Sequence, residues 1–140
     1  MEKTKIVGQT KAVGFQIGIR KTLPISLDSA WDFLFSEEGL KIWLGKISSE
    51  QFELDKNYKT LEGIEGKVRV LELNSHIRLT WKHENWTNIS TLQIRVLKAK
   101  DKTTISIHQE NLLDSNQREE MKEYWDKVVD KLTKKITTTR

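Results

Sequence analysis

Cysteine is absent from the 140-residue chain, which removes disulfides, thiolate catalysis and the common thiolate-rich zinc sites together. Long apolar runs are lacking too. None approaches the roughly 18 residues of a membrane span, so no membrane-spanning segment is expected. The start, Met1-Glu-Lys-Thr-Lys, has no apolar segment of the secretory kind, and a cytoplasmic setting is the expectation. Nucleophile-elbow, phosphate-cradling and His-bearing protease patterns are missing, and the carboxylates fall mostly on solvated faces with no pair singled out. No catalytic residue is therefore expected, and an enzyme is the minority reading. His76, His83 and His108 lack metal-ligand spacing, so neither a metal nor a cofactor is expected.

What is present is a folding composition. Hydrophobic residues make up 36% and charged residues 31%, and five tryptophans (Trp31, Trp43, Trp81, Trp86, Trp125) need a core to enter. The length fits one domain spanning residues 1–140. A net charge of +4 would permit a nucleic-acid partner, but basic residues are spread along the chain among acidic ones, and an ordinary solvated surface is expected instead. Two glycosylation-like triplets, Asn85-Trp86-Thr87 and Asn88-Ile89-Ser90, read as chance.

From Val13 to Ile19 apolar residues alternate strictly with small or polar ones, the period of a half-buried strand. Ahead of it, Lys3 to Lys11 fits either a short strand or a loose arm. Pro24 closes the strand. Ser26 or Asp28 can then cap a helix through Phe35, and Ser36 a second one over Glu37 to Trp43, ended by Gly45. Strand-like runs follow at Ser49 to Leu54, Tyr58 to Leu61, Glu65 to Leu73, Ile77 to Glu84, Ser90 to Leu97 and Thr103 to Leu112. Their connections are short and carry turn residues, Asp55-Lys-Asn57, Gly63, Asn74-Ser75 and Lys100-Asp-Lys102, which predicts an antiparallel meander. Near Val70 the apolar phase shifts from Val68 and Val70 to Leu71 and Leu73, which predicts a bulge and a curled sheet. Asn116 to Ile136 sets Met121, Trp125, Val128, Val129, Leu132 and Ile136 on one helical face, and Asn116 with Glu119 has capping-box spacing. An α+β fold results, in which a curled antiparallel sheet of about six or seven strands covers its inner face with one long helix.

That order resembles the START-like (SRPBCC) helix-grip superfamily. Three stretches are similar to its branch of heat-shock-protein-90 ATPase activators, in their C-terminal domain. Ala30-Trp-Asp-Phe-Leu-Phe-Ser-Glu-Glu-Gly-Leu-Lys-Ile-Trp43 resembles the two-helix motif, and Gly66-Lys-Val-Arg-Val-Leu-Glu-Leu-Asn-Ser-His-Ile-Arg-Leu-Thr-Trp81 the hairpin after it. Thr103-Thr-Ile-Ser-Ile-His-Gln-Glu-Asn-Leu112 resembles the penultimate strand, with Tyr124-Trp125 as the long-helix motif. The branch usually has glycine where this chain has Tyr124, and often paired glycines at Lys56-Asn57. A large side chain at Tyr124 should narrow any cavity beneath the helix.

The resemblance implies a ligand space between sheet and long helix, so inward polar residues become the candidates. Alternation points Gln109 inward with Ile105 and Ile107, while His108 faces out. His83 lies on the face of Ile77, Leu79 and Trp81, at a strand end. The candidate lining is Trp81, His83, Gln109, Tyr124 and Trp125. Trp86, in a polar turn-like stretch, is expected to be buried. Three functions follow: a non-enzymatic domain binding a small hydrophobic or amphipathic molecule, a protein-binding module regulating a chaperone ATPase, and, as implied by other superfamily members, a cyclase or dehydratase.

Overall fold

Two serines decide where the first helices start. The Ser26 hydroxyl accepts from the Ser29 amide at 3.2 Å and the Ser36 hydroxyl from the Gly39 amide at 3.1 Å, each satisfying a donor that a helix start leaves unpaired. The computed structural model describes residues 9–10, 14–47 and 52–138. Its elements run β1 (Gln9–Thr10), β2 (Gly14–Leu23), α1 (Leu27–Leu34), α2 (Glu37–Trp43), β3 (Asn57–Lys59), β4 (Ile64–Glu72), β5 (His76–His83), β6 (Ser90–Ala99), β7 (Lys102–Leu112) and α3 (Ser115–Thr138). Among the described residues no helix is long and apolar enough to cross a membrane.

The strands form one antiparallel seven-stranded sheet in the order β1-β2-β7-β6-β5-β4-β3. Turns fall where the turn residues stand: Asp55, Asn74 and Lys100 adopt positive φ of 65°, 59° and 60°, and Gly63 adopts 95°. The register slips between Val68 and Val70, which turns Leu71 inward opposite Ile77 and bends β4. Gln9 and Thr10 pair with Phe15 and Gly14, so a short strand does precede β2.

Two local expectations need correction. The run from Ser49 to Leu54 is no strand over Phe52 to Leu54, and its earlier part lies outside the described residues. Asp55 at positive φ and the amide of Asp55 bonding the Val68 carbonyl at 2.8 Å delay strand pairing to Asn57. The cap of α3 is Asp114 and not Asn116: its carboxylate accepts from the Gln117 amide at 2.8 Å, and the Gln117 side chain reaches back to the Leu113 amide at 2.9 Å.

α3 lies across the inner face and packs on β2, α2 and β7. Met121, Trp125, Val128, Leu132 and Ile136 are all buried on it. Each such side chain contributes about 1.5–3 kcal/mol by leaving water. The opposing wall is the inward phase of the strands, including Ile17, Val68, Ile77, Leu79, Leu92, Ile94, Ile105 and Ile107. Sheet and helix thus bury each other, the helix-grip arrangement.

Candidate functional site

Three strands and α3 bring most of the candidate residues to one place. Trp81 on β5 stands opposite Ser90 on β6, and Gln109 on β7 stands opposite Leu92, so alternation turns all three toward α3. Gln109 is fully buried. Its amide nitrogen donates to the Ser90 hydroxyl at 2.9 Å, and its oxygen accepts the Trp125 indole N–H at 2.8 Å. Ser90 in turn donates to the Trp81 carbonyl at 2.5 Å. A relay of buried hydrogen bonds therefore ties α3 to β7, β6 and β5, which satisfies the polar atoms such burial would otherwise penalise.

Tyr124 sits beside this relay, half-buried, with its ring 4.9 Å from that of Trp125 and 5.9 Å from that of Trp81. Its hydroxyl donates to the Trp43 carbonyl at 2.7 Å, and the Trp43 indole donates to the Leu34 carbonyl at 2.8 Å. The tyrosine standing where the branch usually has glycine thus latches α3 to α2. Burial above all, and then the Glu62 carboxylate, push its phenol well above the usual tyrosine range. Tyr58 behaves likewise, through burial first and then Tyr124 and Glu65. Both hydroxyls remain neutral donors.

His83 stands apart. It ends β5, and its ring accepts from the Asn85 amide at 3.3 Å. The aromatic contact that Trp81 gains on that side comes from Trp86, half-buried with ring centroids 5.3 Å apart. Among the described residues the Trp81 indole nitrogen is the buried side-chain polar atom that lacks a partner.

Open volume lies next to this packed centre. An apolar recess of about 350 Å³ is lined by Trp31, Phe35, Leu40, Phe52, Leu71 and Leu73. Helix spacing places Trp31 and Phe35 on one face of α1, with rings 4.5 Å apart, and the β4 bulge turns Leu71 toward them. Phe52 closes the far side against Phe35, Trp43 and Tyr58 at 5.7–6.1 Å. Leu73 is 76% exposed at the mouth. Reasoning from sequence found the phase shift that supplies Leu71 and Leu73 but missed the recess, because Phe52 was assigned to a strand. It also missed Ser90, although its alternation with Leu92 and Ile94 marks it as inward.

The fold recurs in solved structures. The chain superposes on DynU16, from the dynemicin biosynthetic locus, with a TM-score of 0.79 at 13% identity, covering 89% of this chain and 48% of that one. It therefore spans about half the length of DynU16. CalU16 from Micromonospora echinospora gives 0.75 at 16% identity over 86% of this chain and 73% of the other. An HSP90 activator from Plasmodium falciparum, PFC0360w, gives 0.66 at 14% identity over 79% and 86%. No curated protein matches the sequence. Residues 24–136, which hold both short helices, the sheet from β3 to β7 and nearly all of α3, match the family described as activator of Hsp90 ATPase homolog 1-like protein, and the chain belongs to that family.

Proposed function

We propose that this chain is a non-enzymatic binding domain that takes a small hydrophobic or amphipathic molecule into the recess between the helix pair and β4. The observation that carries this reading is the recess itself. Its volume of about 350 Å³ lies within the range of small-molecule sites, and its walls are aromatic and aliphatic side chains. In this reading Trp81, Gln109, Tyr124 and Trp125 do not line the recess but pack and bond α3 to α2 and the sheet beside it, and His83 lies outside the site. A cytoplasmic setting belongs to the same proposal. The test is calorimetric titration with octanoate and with 1-anilinonaphthalene-8-sulfonate. Saturable binding by the wild type, abolished by Leu73→Glu at the mouth, is the expected result, and no saturable heat with either probe refutes it.

A second reading is regulation of a chaperone ATPase. It is favoured by the family match over residues 24–136 and by the likeness to an HSP90 activator. Adding the chain to the Hsp90-type chaperone of the same organism should change its ATPase rate, and an unchanged rate at saturating chain removes this reading.

A further inference from the structure

We propose that the outward face of the sheet is a docking surface for an acidic segment of a partner protein. The inference is independent of the apolar recess and rests on where the strand register sends the charges. Eight basic residues point outward or stand exposed at the bulge: Arg20 on β2, Lys59 on β3, Lys67 and Arg69 on β4, Arg78 and Lys82 on β5, Arg95 on β6 and Lys102 on β7. Three acidic residues share that face, Glu65, Glu72 and Glu110. The excess of five on this face exceeds the net charge of +4 carried by the whole sequence. Eight of the 24 basic residues, far apart along the sequence, are thus brought side by side on this face.

The pairing on this face is one-sided. Two of the three acids are ion-paired, Glu110 with Arg78 at 2.9 Å and Glu65 with Lys82 at 3.9 Å, and Glu72 lies 3.6 Å from the His76 ring, an ion pair only when that ring is protonated. Among the described residues, Arg20, Lys59, Lys67, Arg69, Arg95 and Lys102 have no ion pair. Unpaired cations held on a rigid sheet attract a complementary anion and speed its encounter. They span the sheet from β2 to β3, five strand spacings or roughly 24 Å. At the β3 end the face dips into a broad depression of about 810 Å³ lined by Tyr58 as well as by Lys59, Glu65, Lys67 and Thr80.

The chemistry of this face favours carboxylates on a protein over the other polyanions. Among the described residues its outward strand positions hold no Phe, Tyr or Trp, the side chains on which unpaired bases stack; Tyr58, which lines the depression, is turned inward and buried. Among the described residues Val70 and Leu97 are its large apolar side chains, too little to anchor in a bilayer. Threonine, serine and glutamine fill the gaps between cations (Thr91, Thr104, Ser106, Gln93), and these donate hydrogen bonds to carboxylates beside the Arg forks.

The test is binding of fluorescein-labelled decaglutamate to the full chain at low ionic strength, followed by anisotropy. Lys67→Glu, Arg69→Glu and Arg95→Glu combined should raise Kd by about tenfold or more, and salt should weaken wild-type binding. Lys98→Glu, Lys127→Glu and Lys131→Glu combined make the same change of net charge elsewhere and should stay within about threefold of wild type. Should the face-reversal variant fail to fold by circular dichroism, the Gln versions of the same three substitutions carry the comparison. The proposal is overturned by absence of peptide binding, by equal loss in both variants, or by decathymidylate or phosphatidylserine vesicles binding more tightly than the peptide through the same residues.

Discussion

Gln109→Leu is the substitution that separates a structural amide from one held ready for a ligand. The side chain is fully buried, bonded to Trp125 on one atom and to Ser90 on the other. Leucine keeps most of the volume and removes both bonds. Ser90 retains its bond to the Trp81 carbonyl, so the chief loss is the Trp125 indole N–H, left without an acceptor in a dry interior. An orphaned buried donor of that kind costs about 1–3 kcal/mol. For a domain near this size that is a fall in Tm of about 3–10 °C. Urea unfolding followed by tryptophan fluorescence measures it directly. Trp125→Phe removes the other partner, and the double variant should cost less than the two single ones together by about 0.5–3 kcal/mol, because each single substitution orphans the opposite partner and the double orphans neither. If Gln109→Leu is as stable as the wild type or more so, the relay does not hold the fold, and the amide is there for something the chain binds.

Three other substitutions follow from single contacts. A methyl group at Gly66 would sit 1.9 Å from the Thr80 carbonyl oxygen and 2.8 Å from the Tyr58 hydroxyl, which itself bonds that carbonyl at 2.6 Å; Gly66→Ala should cost about 2–4 kcal/mol or abolish soluble expression. Asp114→Ala should lower stability by about 1 kcal/mol in urea titrations, while Asn116→Ala stays within about 0.5 kcal/mol, since only the former caps α3. Tyr124→Phe should cost about 1 kcal/mol at neutral pH by removing the bond to Trp43. The phenols of Tyr58 and Tyr124 are raised in the folded state, so above about pH 10 the unfolded chain loses these protons first and stability falls as pH rises. Thermal melts across that range should show a shallower fall in Tyr124→Phe than in the wild type.

Sequence reasoning reached the fold because its signals are local and mutually consistent: Ser26 and Ser36 ahead of amphipathic runs, turn residues at Asn74 and Lys100, and a phase shift at Val70 that requires a bulge. It went wrong where two local readings compete. Asp114 and Asn116 can both cap a helix, and only the return of the Gln117 side chain to Leu113 decides between them. The same limit applies to the candidate site. Alternation turns Gln109 inward, but whether a buried amide meets a ligand or a protein atom depends on residues far away in sequence, here Ser90 and Trp125. Charge is the sharper case. Basic residues distributed over β2, β3, β4, β5, β6 and β7 look like an ordinary surface when read along the chain. Each strand carries only one or two of them outward, and the excess exists only once the register lays the strands side by side. An antiparallel sheet sums over strands whatever its outward phase holds in common. Charge in such a protein is therefore better counted by strand phase than by sequence window, and here that count converts an unremarkable net charge into a directional surface.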